Sequence, residues 1–221
     1  EGIPPTGAVA LLRQDHQNLG RRLFASHCSS CHLYNGHDGR GFPVEDSPSA
    51  ADLAGFGSVE WITRLLDYDH YVSDKYFGGT KFKDGTMARK VLAKYTEEEK
   101  ALLPDIARLL ADGAKLPYEE PLEKERREEL LSLYYNDDLD FEDGRSCIEC
   151  HDIDSEDEGS APDLTAYASR EWLIEFIGNP EDDRFYGKKN DRMPCYARDG
   201  KLKHEEIAIL ADWIRSTPAE F

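Results

Sequence analysis

The pentapeptide Cys-x-x-Cys-His occurs twice, as Cys28-Ser29-Ser30-Cys31-His32 and as Cys147-Ile148-Glu149-Cys150-His151. No other feature constrains the chain as tightly. Two thiols three positions apart on one turn can form thioethers with both vinyl groups of a haem. The residue that follows then presents an imidazole to the iron from the same face. A redox dithiol needs no trailing His, and a zinc site pairs its Cys-x-x-Cys units within roughly 15–20 residues. Here the units lie 119 positions apart. The motifs therefore predict two covalently bound haem c groups, attached at Cys28, Cys31, Cys147 and Cys150. His32 and His151 are the expected proximal iron ligands. Such large apolar groups let domains of about 70–90 residues build adequate cores.

The chain also repeats itself in order. Gly20-Arg21-Arg22-Leu23-Phe24 leads into the first motif as Gly144-Arg145-Ser146 leads into the second. Ser49-Ala50-Ala51-Asp52-Leu53 matches Ser160-Ala161-Pro162-Asp163-Leu164, and eight residues after each Leu stands a Trp, Trp61 or Trp172. Tyr76-Phe77-Gly78 then matches Phe185-Tyr186-Gly187, a Met follows in each copy, and each closes on an Asp-x-x-Arg, Asp105 to Arg108 and Asp212 to Arg215. Correspondences in the same order indicate a duplication.

Hydrophobic spacing is helical throughout. It predicts a helix over 19–31 and another over 58–66 capped by Ser58. A third opens at the capping box Thr96-Glu97-Glu98-Glu99 and turns Leu102, Leu103, Ile106, Leu109 and Leu110 inward, with a kink at Pro104. A fourth covers 205–216. The expected organisation is all-α: a first domain over 1–112 with an N-terminal extension, a linker over 113–143 and a second domain over 144–221. Within the linker, 123–135 reads as a charged helix whose stripe of Leu130, Leu131 and Tyr134 lies across both domains.

Each iron needs a sixth ligand, and the chain has two Met residues, one per copy. Met87 (in Asp84-Gly85-Thr86-Met87) and Met193 (in Asp191-Arg192-Met193-Pro194) sit in polar loops rather than on apolar helical stripes, which favours ligation over core packing. Among the other histidines, His16 and His204 read as solvent-facing and His27 as turned away from the iron. His37 and His70 are the rival ligands for the first haem. Cys195 reads as a small buried hydrophobe. Trp61 and Trp172 read as core, and the aromatic pairs at 76–77 and 185–186 as walls that exclude water.

Net charge is −18, divided as −3 over residues 1–112 and −15 over 113–221. This acidity argues against nucleic acid or an anionic membrane as partner. Residues 75–94 carry six basic side chains against Asp84, and residues 137–158 carry eleven acids against Arg145. That asymmetry predicts an acidic partner at the first haem and a basic partner at the second, acidic one. No run of 18 apolar residues exists, so no transmembrane segment is expected. The start, Glu1-Gly2-Ile3-Pro4-Pro5, lacks the basic and apolar regions of a leader, and is read as following a cleaved signal or as part of something longer.

These motifs resemble class I cytochrome c domains in tandem. The resemblance covers most of residues 19–217. It implies a helix ending in each Cys-x-x-Cys-His, a distal Met on a later loop, and a C-terminal helix packed across the first. The second copy, with its Ser-Ala-Pro-Asp-Leu, Phe-Tyr-Gly, Arg-Met-Pro and Leu210-Ala211-Asp212-Trp213 segments, is similar to dihaem subunits or domains of cytochrome bc-type quinol-oxidising complexes. It further implies a periplasmic or otherwise extracytoplasmic location. The expected role is single-electron transfer between a donor and an acceptor protein of a respiratory chain, free or associated with a membrane complex. The alternatives are the electron-accepting subunit of a periplasmic dehydrogenase, a dihaem peroxidase and a haem-based ligand sensor. The last two need an open iron, against which the two Met residues argue.

Overall fold

The computed structural model describes residues 15–135, 145–154 and 159–218. The expected N-terminal extension up to residue 14 and most of the acidic run flanking the second motif lie outside the described residues. Among those described, regular structure is helical. Isolated bridges join Tyr34 to His37 and Asp38, and His37 to Pro43, and there is no strand.

The described residues form seven α-helices in chain order: α1 His16–His27, α2 Val59–Leu65, α3 Tyr68–Tyr71, α4 Glu97–Ala114, α5 Lys124–Tyr135, α6 Arg170–Gly178 and α7 His204–Ile214. Their starts follow capping chemistry. Asp15 accepts from the Asn18 amide at 3.1 Å, which starts α1 earlier than the expected residue 19. Ser58 accepts from the Trp61 amide at 3.1 Å, as Ser169 does from that of Trp172. Thr96 and Glu99 form the complete capping box that opens α4. α4 continues through Pro104 and buries Leu103, Ile106, Leu109 and Leu110, whereas Leu102 is only half-buried. The expected loop around Met87 is instead a short π-helical turn, Met87–Val91, followed by a 3₁₀ turn. Such turns widen the backbone ladder locally and are found most often at functional sites.

Three backbone bonds recur between the matched segments. Ala50 and Ala161 donate to the carbonyls of Cys31 and Cys150 at 3.1 and 3.0 Å. Leu53 and Leu164 donate to Leu33 and Asp152, and Asp52 and Asp163 to Lys75 and Arg184. Each copy then turns through alternating left-handed residues, Gly55 and Gly57 in the first, Ala166 and Ala168 in the second. Where these turns meet, Gly57 faces Ala168 so closely that a Cβ on it would stand 2.4 Å from that of Ala168. Phe56 packs on Tyr167 with ring centroids 5.5 Å apart.

Helix pairing does not follow the order of the copies. α1 packs on α7, the last helix of the second half, and α5 packs on α4, the last helix of the first. α2 lies on α4, and α6 on α7. At the first crossing Gly20 lets the Trp213 side chain approach, and Trp213 stacks obliquely on Tyr34 at 4.3 Å and on Phe24 at 5.2 Å. At the second, Leu130 and Tyr134 of α5 are buried, and Arg126 pairs with Asp105 of α4 at 2.7 Å. Arg127 turns to Asp112 and Asp154 at 3.4 and 2.9 Å. The charged segment 124–135 thus contacts both α4 and Asp154, with Leu130 and Tyr134 buried and Leu131 half-buried.

Candidate haem centres

The two pentapeptides adopt closely similar local structures. α1 ends at His27, and Cys28 to His32 form the turn that follows it, with the His32 amide bonded to the Cys28 carbonyl at 2.8 Å. In the second copy Cys147–Glu149 form a 3₁₀ turn, and the His151 amide reaches the Cys147 carbonyl at 2.9 Å. All four thiols are free and half-buried. Burial pushes Cys28 up to about 12, with its neighbour Cys31 adding, and Cys147 up to about 11. Cys28 and Cys147 are therefore protonated thiols at neutral pH.

Both imidazoles are oriented from behind. His32 Nδ1 lies 2.7 Å from the Ala51 carbonyl and His151 Nδ1 lies 2.7 Å from that of Pro162. A carbonyl only accepts, so Nδ1 carries the proton and Nε2 presents its lone pair. This is the arrangement by which a protein fixes the tautomer of a metal-binding His. Desolvation lowers the pKa of both rings, against the opposing effect of the carbonyl bond, and keeps them neutral. The Ser-Ala-Ala and Ser-Ala-Pro repeats therefore act on the imidazoles directly, by fixing the direction in which each one points.

The rival histidines are engaged elsewhere. His37 Nδ1 accepts from the Gly39 amide at 2.9 Å. His70 is exposed, pairs with Asp67 at 2.8 Å, and has the Arg64 guanidinium 3.4 Å from its Nε2. A cation there opposes metal binding. His16 and His204 are exposed, and His27 sets its ring edge-on to Tyr196. Cys195 is 1% exposed, in keeping with a core residue. Trp61 and Trp172 are buried among aromatic rings, including Tyr76 and Phe185 at 5.2 Å each.

Residues 141–218 match the family model of cytochrome c. Over this segment, about a third of the chain, the sequence is similar to cytochrome c. No curated protein and no solved structure matches the chain. A cytochrome c domain carries covalently bound haem c and serves as an electron carrier, and the second pentapeptide lies inside it. Its residues fit that group: two thiols outside any disulfide, an imidazole with Nε2 directed away from its carbonyl partner, and one incomplete donor. Trp61 Nε1 donates to the Asp52 carbonyl at 3.1 Å, but its counterpart Trp172 Nε1 is buried with no partner among the described residues. A buried donor left unpaired costs about 1–3 kcal/mol, and a polar edge of a bound group would satisfy it. No described helix is long and apolar enough to cross a membrane.

Several residues that shape the centres carry no sequence signal of it. Tyr196 donates from its hydroxyl to the His27 carbonyl at 2.5 Å. Arg192 Nη2 reaches the carbonyls of Gly79 at 3.1 Å and Ser49 at 3.4 Å. Tyr95 donates to the Arg145 carbonyl at 3.2 Å, and burial, with Cys147 adding, raises its phenol well above the ordinary value. Tyr134 donates to the carbonyl of His151 at 3.0 Å. Each of these contacts joins residues between 17 and 169 positions apart, a separation at which hydrophobic periodicity carries no information.

Proposed function

We propose that the chain binds two haem c groups and passes single electrons between redox proteins. The observation that carries this reading is the doubled carbonyl bond at 2.7 Å, which presents Nε2 beside a Cys-x-x-Cys pair in both halves. Cys28, Cys31 and His32 would hold one group, and Cys147, Cys150 and His151 the other, with Met87 and Met193 as distal ligands. The bound groups supply the Fe(II)/Fe(III) couple. The chain's own residues hold the rings in place, exclude water and set the surface that partners meet. Phe82 packs on Tyr186 with ring centroids 5.0 Å apart, and Phe185 is buried. Burial of this kind is one of the means by which a protein raises or lowers a haem potential.

The finer parts of the reading follow from the resemblance and from charge. They are a place in a respiratory chain, as a free carrier or in association with a membrane complex, and a periplasmic location. A dehydrogenase's electron-accepting subunit would use the same parts. Intact-mass measurement of the purified holoprotein should show two covalently attached macrocycles, and fewer would overturn the dihaem reading. The reduced protein should give a low-spin spectrum that carbon monoxide leaves unchanged. A carbon monoxide adduct would instead indicate an open iron, and with it a peroxidase or a sensor.

Five of the six basic residues in 75–94 are exposed, although Lys81 donates to the Asn190 carbonyl and Arg89 pairs with Asp84. With a net charge of −18, a basic redox partner should be steered to the acidic second half. Its electron-transfer rate should fall by about tenfold between low and high salt, as the Debye length shrinks from about 30 to 3 Å. A stopped-flow rate independent of salt would remove the docking claim.

A further inference from the structure

The helix pairing bears on which methionine serves which iron. In a half that closed on itself α1 would lie against α4; instead it lies against α7, the last helix of the second half. The loops that carry the methionines follow the same exchange. Arg192 precedes Met193 and bonds to Ser49 and Gly79, and the Ser49 amide in turn donates to the Cys31 carbonyl at 3.1 Å. Tyr196, three residues beyond Met193, bonds to the His27 carbonyl next to Cys28. Met193 therefore lies between two contacts to residues that flank the first pentapeptide, while Lys189, four residues earlier, still reaches the Ser160 carbonyl of its own half at 2.7 Å.

On the other side the link runs through Tyr95, eight residues beyond Met87. Met87 begins the π-helical turn that runs through Leu92–Lys94 into Tyr95. Tyr95 bonds to the Arg145 carbonyl, and Glu99 to the Arg145 guanidinium at 2.9 and 3.1 Å, two residues before Cys147. The N-terminus of α4 thus sits on the second pentapeptide, while Tyr134 of α5 holds the carbonyl of His151.

The backbone at Arg192 supports this arrangement. Its φ of 69° is left-handed, a conformation that a non-glycine residue keeps only where its surroundings enforce it. The enforcing contacts are Asp191 at 3.1 Å and the two carbonyls of the opposite half. Asp191 is itself held by the Lys81 amide at 3.1 Å.

We propose that the two haem sites are exchanged between the halves. Met193 closes the iron held by Cys28, Cys31 and His32, and Met87 closes the iron held by Cys147, Cys150 and His151. The proposal rests on the dihaem reading above. Neither sequence half is then a complete haem-binding unit, and each is finished by the other's last helix and methionine. The exchange also moves the basic residues around Met87 to the haem at the second pentapeptide, so that this haem has both a basic and an acidic approach.

The two methionines make the test direct. In reduced holoprotein labelled with ¹³C at the methionine methyls, each methyl should show nuclear Overhauser contacts to one haem. The haems are identified through their thioether links to sequentially assigned cysteines. The Met193 methyl should contact the haem linked to Cys28 and Cys31, and the Met87 methyl the other. Contacts of each methyl with the haem of its own half would overturn the exchange and leave the dihaem reading intact. Methyls far from both haems, in a protein whose mass still shows two, would remove methionine ligation and the exchange with it. The measurement needs no substitution, so a misfolded variant cannot obscure the result.

Discussion

Replacing Arg145 with Ala should destabilise the holoprotein by about 3–5 kcal/mol, the usual cost of stranding a buried charge. The Glu99 side chain is 0% exposed and that of Arg145 is 14% exposed, and their closest approach is 2.9 Å. Glu99 also accepts from the Thr96 amide at 2.6 Å, so its carboxylate cannot swing out to water without undoing the cap of α4. The melting temperature should fall by about 10 °C, taking about 2–4 °C per kcal/mol for a chain of this size. Adding Glu99→Gln to that variant should recover part of the loss, because the stranded charge is then gone. Thermal melts followed by circular dichroism read both effects. A loss below about 1 kcal/mol would mean that the pair, and the docking of α4 on the second pentapeptide, does not persist in solution.

Gly20→Ala should also destabilise, by about 2 kcal/mol, and here the sign is more informative than the size. In an exposed helix interior this substitution stabilises by roughly 0.5–1 kcal/mol, because glycine loses more backbone entropy on folding. A Cβ at residue 20, however, would stand 2.3 Å from Trp213 Cβ and 2.6 Å from its Cγ. Overpacking of that kind typically costs about 1–3 kcal/mol. Trp213 is held between Phe24 and Tyr34, so it cannot yield without disturbing both. In a Trp213→Gly background, which lacks both contacting atoms, the penalty should shrink, and the double-mutant difference isolates the contact between α1 and α7. A stabilising Gly20→Ala would place α1 against a different helix from the one described.

Much of the local architecture is legible because it depends on residues close in sequence. Ser58 and Thr96 cap their helices through bonds to the third residue ahead, a spacing visible in any one-dimensional reading. The Met87 turn was not legible, since its polar residues suit a loop or an open helical turn equally well. The early start of α1 follows from Asp15, a capping residue that ranks beside Ser58 but precedes a stretch with little apolar content. Tyr95, Tyr196 and Arg192 could not be singled out, because what distinguishes them is a partner far along the chain.

From the residues alone come the pentapeptides, the paired repeats, the helical character and the two candidate sulfur ligands. All of these rest on spacings of a few positions. The choice of partner helix belongs to the folded chain. α4 and α7 both offer an apolar face, and such a pattern specifies that a face is buried without naming what covers it. Close fit settles the matter: a missing Cβ at Gly20 admits Trp213, and a buried carboxylate at Glu99 requires Arg145. Both conditions join opposite halves, so only the assembled core selects the exchanged arrangement.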